Sequence, residues 1–233
     1  MTRHLIVTAD DFGLSVGVNA GVVRAHCDGI VTAASLMVRQ AALDDAVRSA
    51  SLHPDLDVGL HLDLGEWAFA NGQWIAVYQR VDTADAAAVT REAAEQVAIF
   101  QRAMGRAPSH IDSHQHVHRN ELVREVVTSL ASRLEVPLRF ATPAIAHVGE
   151  FYGQTTEGQP LHDYISVDHL VRLITGLADG VTEFGCHPAT VVDYPGSYGA
   201  ERLREVEVLC DPAVRAALVR SKVELIGFRA VVS

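Results

Sequence analysis

The sequence contains a single lysine, Lys222, although lysine and arginine together number 19. It also lacks a GxxxxGK[ST] segment, the motif in which a lysine and a glycine-rich loop hold nucleotide phosphates. Schiff-base catalysis requires a lysine amine, and Lys222 lies at the start of the last predicted strand. P-loop phosphate binding and most lysine-dependent carbonyl chemistry are therefore excluded.

Cysteine is also scarce, and long apolar runs are missing. The three cysteines, Cys27, Cys186 and Cys210, form no CxxC pair, which argues against a thiolate zinc site and against structural disulfides. No apolar run approaches the ~20 residues of a membrane span. The N-terminus runs straight into the first predicted strand without a basic leader and an apolar signal core, so we expect a cytoplasmic protein.

Charge and length narrow the class of protein further. The formal net charge is −10 at pH 7, and the arginines form no basic stripe, so we expect no nucleic-acid partner. A chain of 233 residues has room for one domain with a large core. We expect a single domain over residues 1–233.

Short apolar runs alternate with helical stretches along the chain. This alternation predicts a parallel sheet with helical crossovers, and hence an α/β fold. The predicted strands are residues 4–9, 31–38, 57–62, 109–113, 137–140, 181–185 and 223–226. Two irregular stretches rich in aromatic residues, 65–80 and 141–165, are predicted to be lids over a pocket.

The most informative segment is a cluster of histidines. Four of the twelve histidines, at positions 110, 114, 116 and 118, lie within nine residues, together with Asp112. In an extended segment these even positions share one face. Imidazole and carboxylate groups crowded at a strand end are typical of a divalent-metal site, which makes a hydrolytic metalloenzyme the leading hypothesis. Because an extended chain would separate His110 and His118 by ~26 Å, the four histidines cannot all bind one ion.

Polar residues also follow the ends of other predicted strands. They are Asp10, Asp11, His61, His114, Arg139 and His187. In a (β/α) barrel the carboxyl ends of the strands share one face, where such barrels keep their active sites. We therefore expect these side chains to meet at one site.

Four segments resemble the YdjC family of carbohydrate deacetylases. They are TADDFG at 8–13, GLH at 59–61, HIDSHQHVH at 110–118 and CHP at 186–188, in the family's order and spread over essentially the whole chain. The resemblance implies a deformed TIM-like (β/α) barrel of about seven parallel strands, similar to that of polysaccharide deacetylases. It also implies one bound divalent cation and removal of acetyl from N-acetylated sugars such as chitooligosaccharides, which is hydrolysis of a linear amide.

The resemblance implies a metal site as well. Asp11, His61 and His114 match the family's ligands, and three protein ligands leave positions open for water and substrate. Magnesium or zinc is the expected ion, with cobalt and manganese also suited to this set. Asp112 is expected to orient a ligand imidazole. His116 and His118 are assigned to the surroundings of the ligands or to the sugar cleft, with solvated strand-end histidines as the alternative.

Three further residues match catalytic positions. Asp10 resembles the base that takes a proton from the attacking water, and its alternative role is a cap of the loop before the first helix. His187 matches the acid that protonates the departing amine, because an amide nitrogen leaves badly as an anion. Arg139 is expected to pair with Asp10 and keep it ionised, with a surface salt bridge as the alternative.

The remaining charged residues are interpreted more simply. Glu183 shares a strand face with His187 and is assigned either to the surroundings of the site or to a buried ion pair. The helix at 200–209, rich in Glu and Arg, is interpreted as a solvated outer face. His147 is one of six histidines outside the motifs that are interpreted as ordinary.

Two other functions remain open. A metal-dependent phosphoesterase would use a similar histidine-rich barrel end, usually with two metals and more carboxylates. A sugar-binding protein would keep a structural metal without turnover. The exact sugar is also open, and a glycolipid-linked N-acetylglucosamine is among the candidates, as the hopanoid-associated branch of the family implies. The family resemblance further implies a homodimer.

Overall fold

A computed structural model describes residues 2–232 of the chain. The strands are β1 (Arg3–Phe12), β2 (Ala33–Leu36), β3 (Asp57–Leu62), β4 (Gly65–Ala70), β5 (Gln73–Gln79), β6 (Ile111–Ser113), β7 (Ile145–Val148), β8 (Gly180–Cys186) and β9 (Val223–Leu225). The α-helices are α1 (Val16–Cys27), α2 (Leu43–Leu52), α3 (Ala86–Met104), α4 (Glu121–Leu134), α5 (Val167–Thr175), α6 (Ala200–Leu209), α7 (Pro212–Ser221) and α8 (Arg229–Val232). Within the described range, no helix is both long and apolar enough to cross a bilayer.

Seven parallel strands form one curled sheet in the order β6-β3-β2-β1-β8-β7, with β9 beside the first residues of β1. Leu138 extends the β6 edge through a parallel bridge to Ile111. The open side of the sheet therefore lies between Leu138 and β7, which begins at Ile145. This is the deformed TIM-like barrel that the sequence predicted, and its strands end at one rim.

The central strand β1 shows why this sequence forms such a sheet. Residues 5–12 of β1 are all buried, because a parallel strand in this fold is covered on both faces. Helices pack around the sheet, and several begin at side-chain caps: Ser15, Asn120 and Ser166 each accept a backbone N–H of the first helical turn. The polar residues among residues 5–12, Thr8, Asp10 and Asp11, are buried as well, which concentrates charge at the carboxyl end of β1.

Three predicted segments differ from the structure. The stretch 141–165 is not irregular throughout, because it contains β7, which pairs in parallel with β8. Residues 137–140 form only the single bridge at Leu138, because Pro137 has no N–H for a ladder and Phe140 turns the chain with a φ of 64°. The stretch 65–80 is not irregular: β4 and β5 form an antiparallel hairpin. Its turn, Asn71-Gly72, has φ values of 53° and 78° and is the dipeptide that most strongly predicts a hairpin.

Candidate metal centre and active site

Three side chains from three strands converge at the carboxyl rim. Asp11 lies near the end of β1, His61 near the end of β3, and His114 directly follows β6. Oδ1 of Asp11 is 3.2 Å from Nε2 of His61 and 3.0 Å from Nδ1 of His114. One ligand atom from each residue lies within 4.8 Å of the other two. Since metal–ligand bonds are about 2 Å long, a single cation fits between these atoms.

The backbone of β1 directs its two neighbouring aspartates to different partners. The pairing of β1 with β2 shifts register between Ala9 and Phe12, and Asp11 has a left-handed φ of 64°. Such an irregularity re-aims side chains, and aspartate tolerates left-handed backbone better than most residues. Asp11 consequently contacts His61 and His114, whereas Asp10 contacts Arg139.

His61 lies between two carboxylates. Its Nδ1 is 2.7 Å from Oδ1 of Asp112, and its Nε2 faces Asp11. Burial opposes the charged form of this imidazole, but the charges of Asp112 and Asp10 raise its pKa well above the usual value. A carboxylate on one ring nitrogen commonly orients a ligand histidine so that its other nitrogen faces the metal. Asp112 occupies such a position.

The buried charges around these ligands do not balance. Five carboxylates and two guanidinium groups are almost fully buried there: Asp10, Asp11, Asp112, Glu183, Glu205, Arg139 and Arg202. Burial raises the pKa of Glu205 to about 7, so this carboxylate is only partly ionised at neutral pH. The other four carboxylates and the two guanidinium groups leave two negative charges, which either protons on His61 and His114 or one divalent cation can offset. Despite burial, the charge of Asp11 raises the pKa of His114 to about 9. The set of donor atoms and the excess of negative charge therefore both fit a divalent cation. Binding of such a cation would displace the protons on His61 and His114.

Arg139 fixes Asp10. Its two terminal nitrogens donate to both carboxylate oxygens of Asp10, at 2.7 and 2.8 Å, in a bidentate pair. The same guanidinium lies 2.8 Å from Asp112 and 2.8 Å from Glu183. Burial opposes its charge, but these carboxylates raise the pKa of Arg139 well above the usual value. The alternative of a surface salt bridge is therefore wrong, and Glu183 belongs to a buried ion pair.

His187 follows β8 and also approaches Asp10. Its Nε2 is 3.9 Å from Oδ2 of Asp10, and its Nδ1 is 3.9 Å from Oε1 of Glu205. The backbone N–H of His187 donates to the carboxylate of Glu205. Burial lowers the pKa of His187 to about 4, so its imidazole is neutral at pH 7 until a proton is delivered to it.

Helix α6 contributes two charged residues to this centre. Arg202 and Glu205 are 4% and 0% exposed, and Arg202 donates to Oδ2 of Asp11. Burial raises the pKa of Glu205 to about 7. The interpretation of 200–209 as a solvated face is therefore wrong for these residues. Arg202, Glu205 and Leu209 lie at positions i, i+3 and i+7 and therefore share one face of the helix. This shared face is the sequence signal that could have indicated their burial.

The histidine cluster is not extended throughout. β6 ends at Ser113, and residues His114–Arg119 form a 3₁₀ helix with left-handed φ values of 50° at Gln115 and 54° at His116. The hydroxyl of Ser113 accepts the backbone N–H of His118 at 3.1 Å and so helps to close this turn. The prediction that residues 110–118 share one extended face is therefore wrong beyond Ser113.

A cleft of about 720 Å³ opens onto the three candidate ligands. Its walls carry aromatic residues from both predicted lids: Trp67, Phe69, Trp74, Phe151 and Tyr152. Among residues 2–232, five buried side-chain nitrogens have no hydrogen-bond partner, and four belong to residues that line this cleft: His114, His116, His187 and Arg202. Because buried polar atoms are nearly always paired, this concentration is typical of a ligand site.

The other clustered histidines lie in different surroundings. His110 is buried and stacks on Phe228 with ring centroids 3.8 Å apart. His118 is buried too, and its Nε2 is 3.1 Å from the backbone oxygen of Arg139. His116 lines the cleft, and so does His147, which lies outside every sequence motif. Nδ1 of His147 is 3.4 Å from Glu183, so this histidine is not an ordinary surface residue.

The β4–β5 hairpin forms one wall of the cleft and is fixed at two places. At its base, buried Asp63 accepts hydrogen bonds from the Tyr78 hydroxyl at 3.0 Å and from Arg80 at 2.8 Å. Further out, the side-chain amide of Gln115 accepts from the backbone N–H of Trp67 at 2.9 Å and donates to its carbonyl at 2.8 Å. Because Gln115 follows His114, this pair joins the hairpin directly to a ligand loop.

We expect Gln115→Gly to weaken binding of a substrate in the cleft without loss of metal. Glycine adopts the left-handed φ at this position without strain, so the variant removes only the two hydrogen bonds to Trp67. Two bonds at about 0.5–1.5 kcal/mol each sum to about 1–3 kcal/mol, so KM should rise by a factor between about five and about a hundred. Steady-state kinetics measures KM, and elemental analysis measures the metal content. An unchanged KM would show that the wall of the cleft does not depend on this pair.

Comparison with known families and proteins agrees with this architecture. The family model described as YdjC-like protein matches residues 4–220. The carbohydrate deacetylase of Geobacillus stearothermophilus is 36% identical, with 98% of both chains covered. The chitooligosaccharide deacetylase of Klebsiella pneumoniae is 32% identical over 94% of this chain and 95% of the relative.

Solved structures show the same fold. A protein from Enterococcus faecalis, named for cellobiose-phosphate cleavage, has a TM-score of 0.82 at 26% identity, with 99% of both chains covered. The family 4 carbohydrate esterase of Streptomyces lividans, solved with acetate, has a TM-score of 0.57 at 14% identity, over 96% of this chain and 91% of the esterase. At that identity the likeness concerns the fold alone.

Proposed function

The chain belongs to the YdjC-like protein family, and from that premise we propose that it removes acetyl groups from N-acetylated sugars with the help of one divalent cation. The observation that carries this proposal is the convergence of Asp11, His61 and His114 beside Asp10 in an aromatic cleft. The names of the relatives support a chitooligosaccharide, or a related compound of N-acetylglucosamine, as the substrate class.

Asp11, His61 and His114 would hold the cation. One carboxylate and two imidazoles suit zinc, magnesium, cobalt and manganese. When bound, such an ion polarises a carbonyl oxygen and lowers the pKa of water toward about 7. Asp112, through Nδ1 of His61, keeps the Nε2 of that ligand directed toward the cation position.

Asp10 acts as the base in this proposal. Arg139 holds both of its oxygens, which leaves the carboxylate fixed beside the ligands rather than free to rotate. The attacking water gives its proton to Asp10 as its oxygen adds to the acetyl carbon. A positioned base of this kind contributes about 10²–10⁴-fold to a rate.

His187 delivers a proton to the departing amine. Its Nε2 is 3.9 Å from Asp10, so the proton that Asp10 has taken from water can pass to the imidazole after a small approach. Burial lowers the pKa of His187 to about 4, so the protonated ring is a strong acid that readily gives its proton to nitrogen. The carbon–nitrogen bond then breaks, and the products are acetate and the free amino sugar.

The aromatic walls provide surfaces on which sugar rings can stack. Trp67 and Phe69 from β4 and Trp74 from β5 line one side, and Tyr152 lines the cleft as well. Aromatic residues bury large apolar area and fix a ring by its face, while a few polar groups set its orientation. The acetamide is thereby directed toward Asp10 and the ligand set.

The site favours amide hydrolysis over phosphoester hydrolysis, although one structural relative is named for cellobiose-phosphate cleavage. Two candidate cation sets occur among the described residues, but both use His61, and two oxygens of the second set are engaged by Arg139. The ions of two-metal phosphoesterases lie about 3.5–4 Å apart, and the single imidazole of His61 cannot bind both through one ring nitrogen. The geometry therefore supports one cation.

Acetate release from N,N′-diacetylchitobiose tests the proposal. We expect release that stops after chelation and returns, to different extents, with zinc, cobalt, manganese or magnesium. His61→Ala should lose bound metal on elemental analysis, whereas His162→Ala, at an exposed position, should retain it. Full activity in thoroughly demetallated protein would refute the metal-dependent mechanism, and sugar binding without acetate release would support the sugar-binding alternative.

A further inference from the structure

Arg202 presents a buried hydrogen-bond donor that the hydrolysis described above does not use. Its Nη2 donates to Oδ2 of Asp11, and its Nε donates to the backbone oxygen of Tyr198 at 3.0 Å. Its Nη1 is buried and has no hydrogen-bond partner within residues 2–232. Arg202 is 4% exposed, yet it lines the cleft. An unpaired cationic donor in such a place is unfavourable unless a ligand supplies the acceptor.

The guanidinium is held in place by aromatic rings. Its Cζ lies 5.3 Å from the ring centroid of Tyr194 and 5.6 Å from that of Tyr198. Tyr198 is itself stacked on Tyr152, with 4.6 Å between centroids and an angle of 4° between planes. A donor fixed before the substrate arrives does not have to reorganise as charge develops, which is the property that makes electrostatic catalysis effective.

The position of Arg202 indicates which substrate atom it meets. Oδ1 of Asp11 faces His61 and His114, while Oδ2 of the same carboxylate faces Arg202. The guanidinium is therefore adjacent to the ligand set, and it lines the same cleft as Asp10 and Asp11. The acetyl oxygen is the group of that acetamide that gains negative charge when water attacks.

We propose that Nη1 of Arg202 donates a hydrogen bond to the acetyl oxygen of the substrate and stabilises its negative charge in the transition state. This inference rests on the proposed deacetylation. As the oxygen of water bonds to the acetyl carbon, the carbonyl π electrons move onto the acetyl oxygen, and the water proton passes to Asp10. Arg202 gives up no proton and returns unchanged when the carbon–nitrogen bond breaks. It is thus a catalytic residue in addition to Asp10 and His187.

Arg202→Gln tests this role against the alternative that Arg202 only holds Asp11. We expect kcat to fall about 10²–10³-fold, the usual loss for one donor to a developing oxyanion. Affinity for the methylphosphonamidate of glucosamine, a tetrahedral anion that replaces the acetamide, should fall by a similar factor, while KM and metal content stay unchanged. Arg204→Gln on the same helix is the matched control, since Arg204 donates to the carbonyl of Ile165.

Two results would overturn the inference. Loss of metal in Arg202→Gln, with activity restored by excess metal, would assign Arg202 to positioning Asp11. A fall in kcat without a matching loss of affinity for the phosphonamidate would exclude a contact with the acetyl oxygen. If Arg202→Gln does not fold, Arg202→Lys keeps a cation opposite Asp11 but lacks the second donor arm, and the same selective losses are expected. Absence of acetate release from the wild-type chain would refute the proposed function itself.

Discussion

Asp10→Asn is expected to keep its metal and to lose turnover by about 10⁴-fold, the upper range for a positioned base. Asparagine has nearly the same shape, and its side-chain oxygen can still accept a hydrogen bond from Arg139. Arg139 also keeps its contacts with Asp112 and Glu183, so its buried charge remains paired. The variant cannot accept the proton of the attacking water, and this alone removes the reaction.

Asp11→Asn should show the opposite pattern, and the two variants serve as controls for each other. A neutral amide is a poorer metal ligand than a carboxylate, so occupancy should fall when protein and metal are present in equal amounts. Elemental analysis measures the metal content of both variants, and calorimetric titration measures their affinity for metal. Acetate release from N,N′-diacetylchitobiose measures their turnover. The roles would be exchanged if Asp10→Asn proved to be the variant that loses metal.

Asp10→Asn should also still bind substrate. Asp10→Asn leaves the residues of the cleft walls, the ligand set and His187 in place, so affinity for the N-acetyl sugar should stay near the wild-type value. The variant is therefore suited to trapping a complex with uncleaved sugar. Near-normal turnover by Asp10→Asn would refute its role as base.

Much of the fold could be predicted because its signals are local. Buried parallel strands appear in the sequence as short apolar runs such as Leu5, Ile6 and Val7, and the alternation with helices determines the parallel sheet. The convergence of Asp11, His61 and His114 was also predictable, since the carboxyl ends of parallel strands meet at one rim. Their backbone positions, rather than any detail of side-chain packing, bring these residues together.

The prediction that the histidine cluster is extended throughout fails because of contacts that the sequence pattern does not reveal. A period of two is compatible with an extended segment, but the chain turns after Ser113 because that hydroxyl binds the backbone N–H of His118 and because Gln115 and His116 adopt left-handed dihedrals. Such dihedrals are costly for residues other than glycine and persist only where the surroundings fix them. The pair between Gln115 and Trp67 is part of those surroundings.

Helix α6 shows a second limit of sequence interpretation. A stripe of Glu and Arg on a helix is usually solvated, and the exposed Arg204 and Glu207 follow that rule. Arg202 and Glu205 do not, because Arg202 donates to Asp11 near the end of β1 and Glu205 accepts the backbone N–H of His187, which directly follows β8. The spacing of these two residues with the apolar Leu209 indicates a shared helix face, but only the three-dimensional structure could identify their partners.

His187→Ala is expected to retain metal and to lose turnover on N-acetyl sugars by about 10³-fold, within the range of a positioned acid. An amine is a poor leaving group unless it is protonated, so in the proposed mechanism this step depends on the imidazole. An activated ester such as 4-nitrophenyl acetate has a leaving group that needs no proton, and its hydrolysis should fall less than about tenfold. His169→Ala, whose imidazole binds the backbone oxygen of Glu150, is the control with full activity on both substrates.

The comparison of the two substrates separates protonation from binding. His187 packs against Tyr152 and Tyr198, with ring centroids 5.4 Å apart in both pairs, so its removal also leaves a gap in the cleft wall. A gap would weaken binding of the sugar and raise KM. Loss of the acid instead lowers kcat, and it does so most for a leaving group that must be protonated. Equal losses of kcat on the amide and the ester would therefore assign His187 to positioning. A large loss on the amide alone requires that the imidazole protonates the amine.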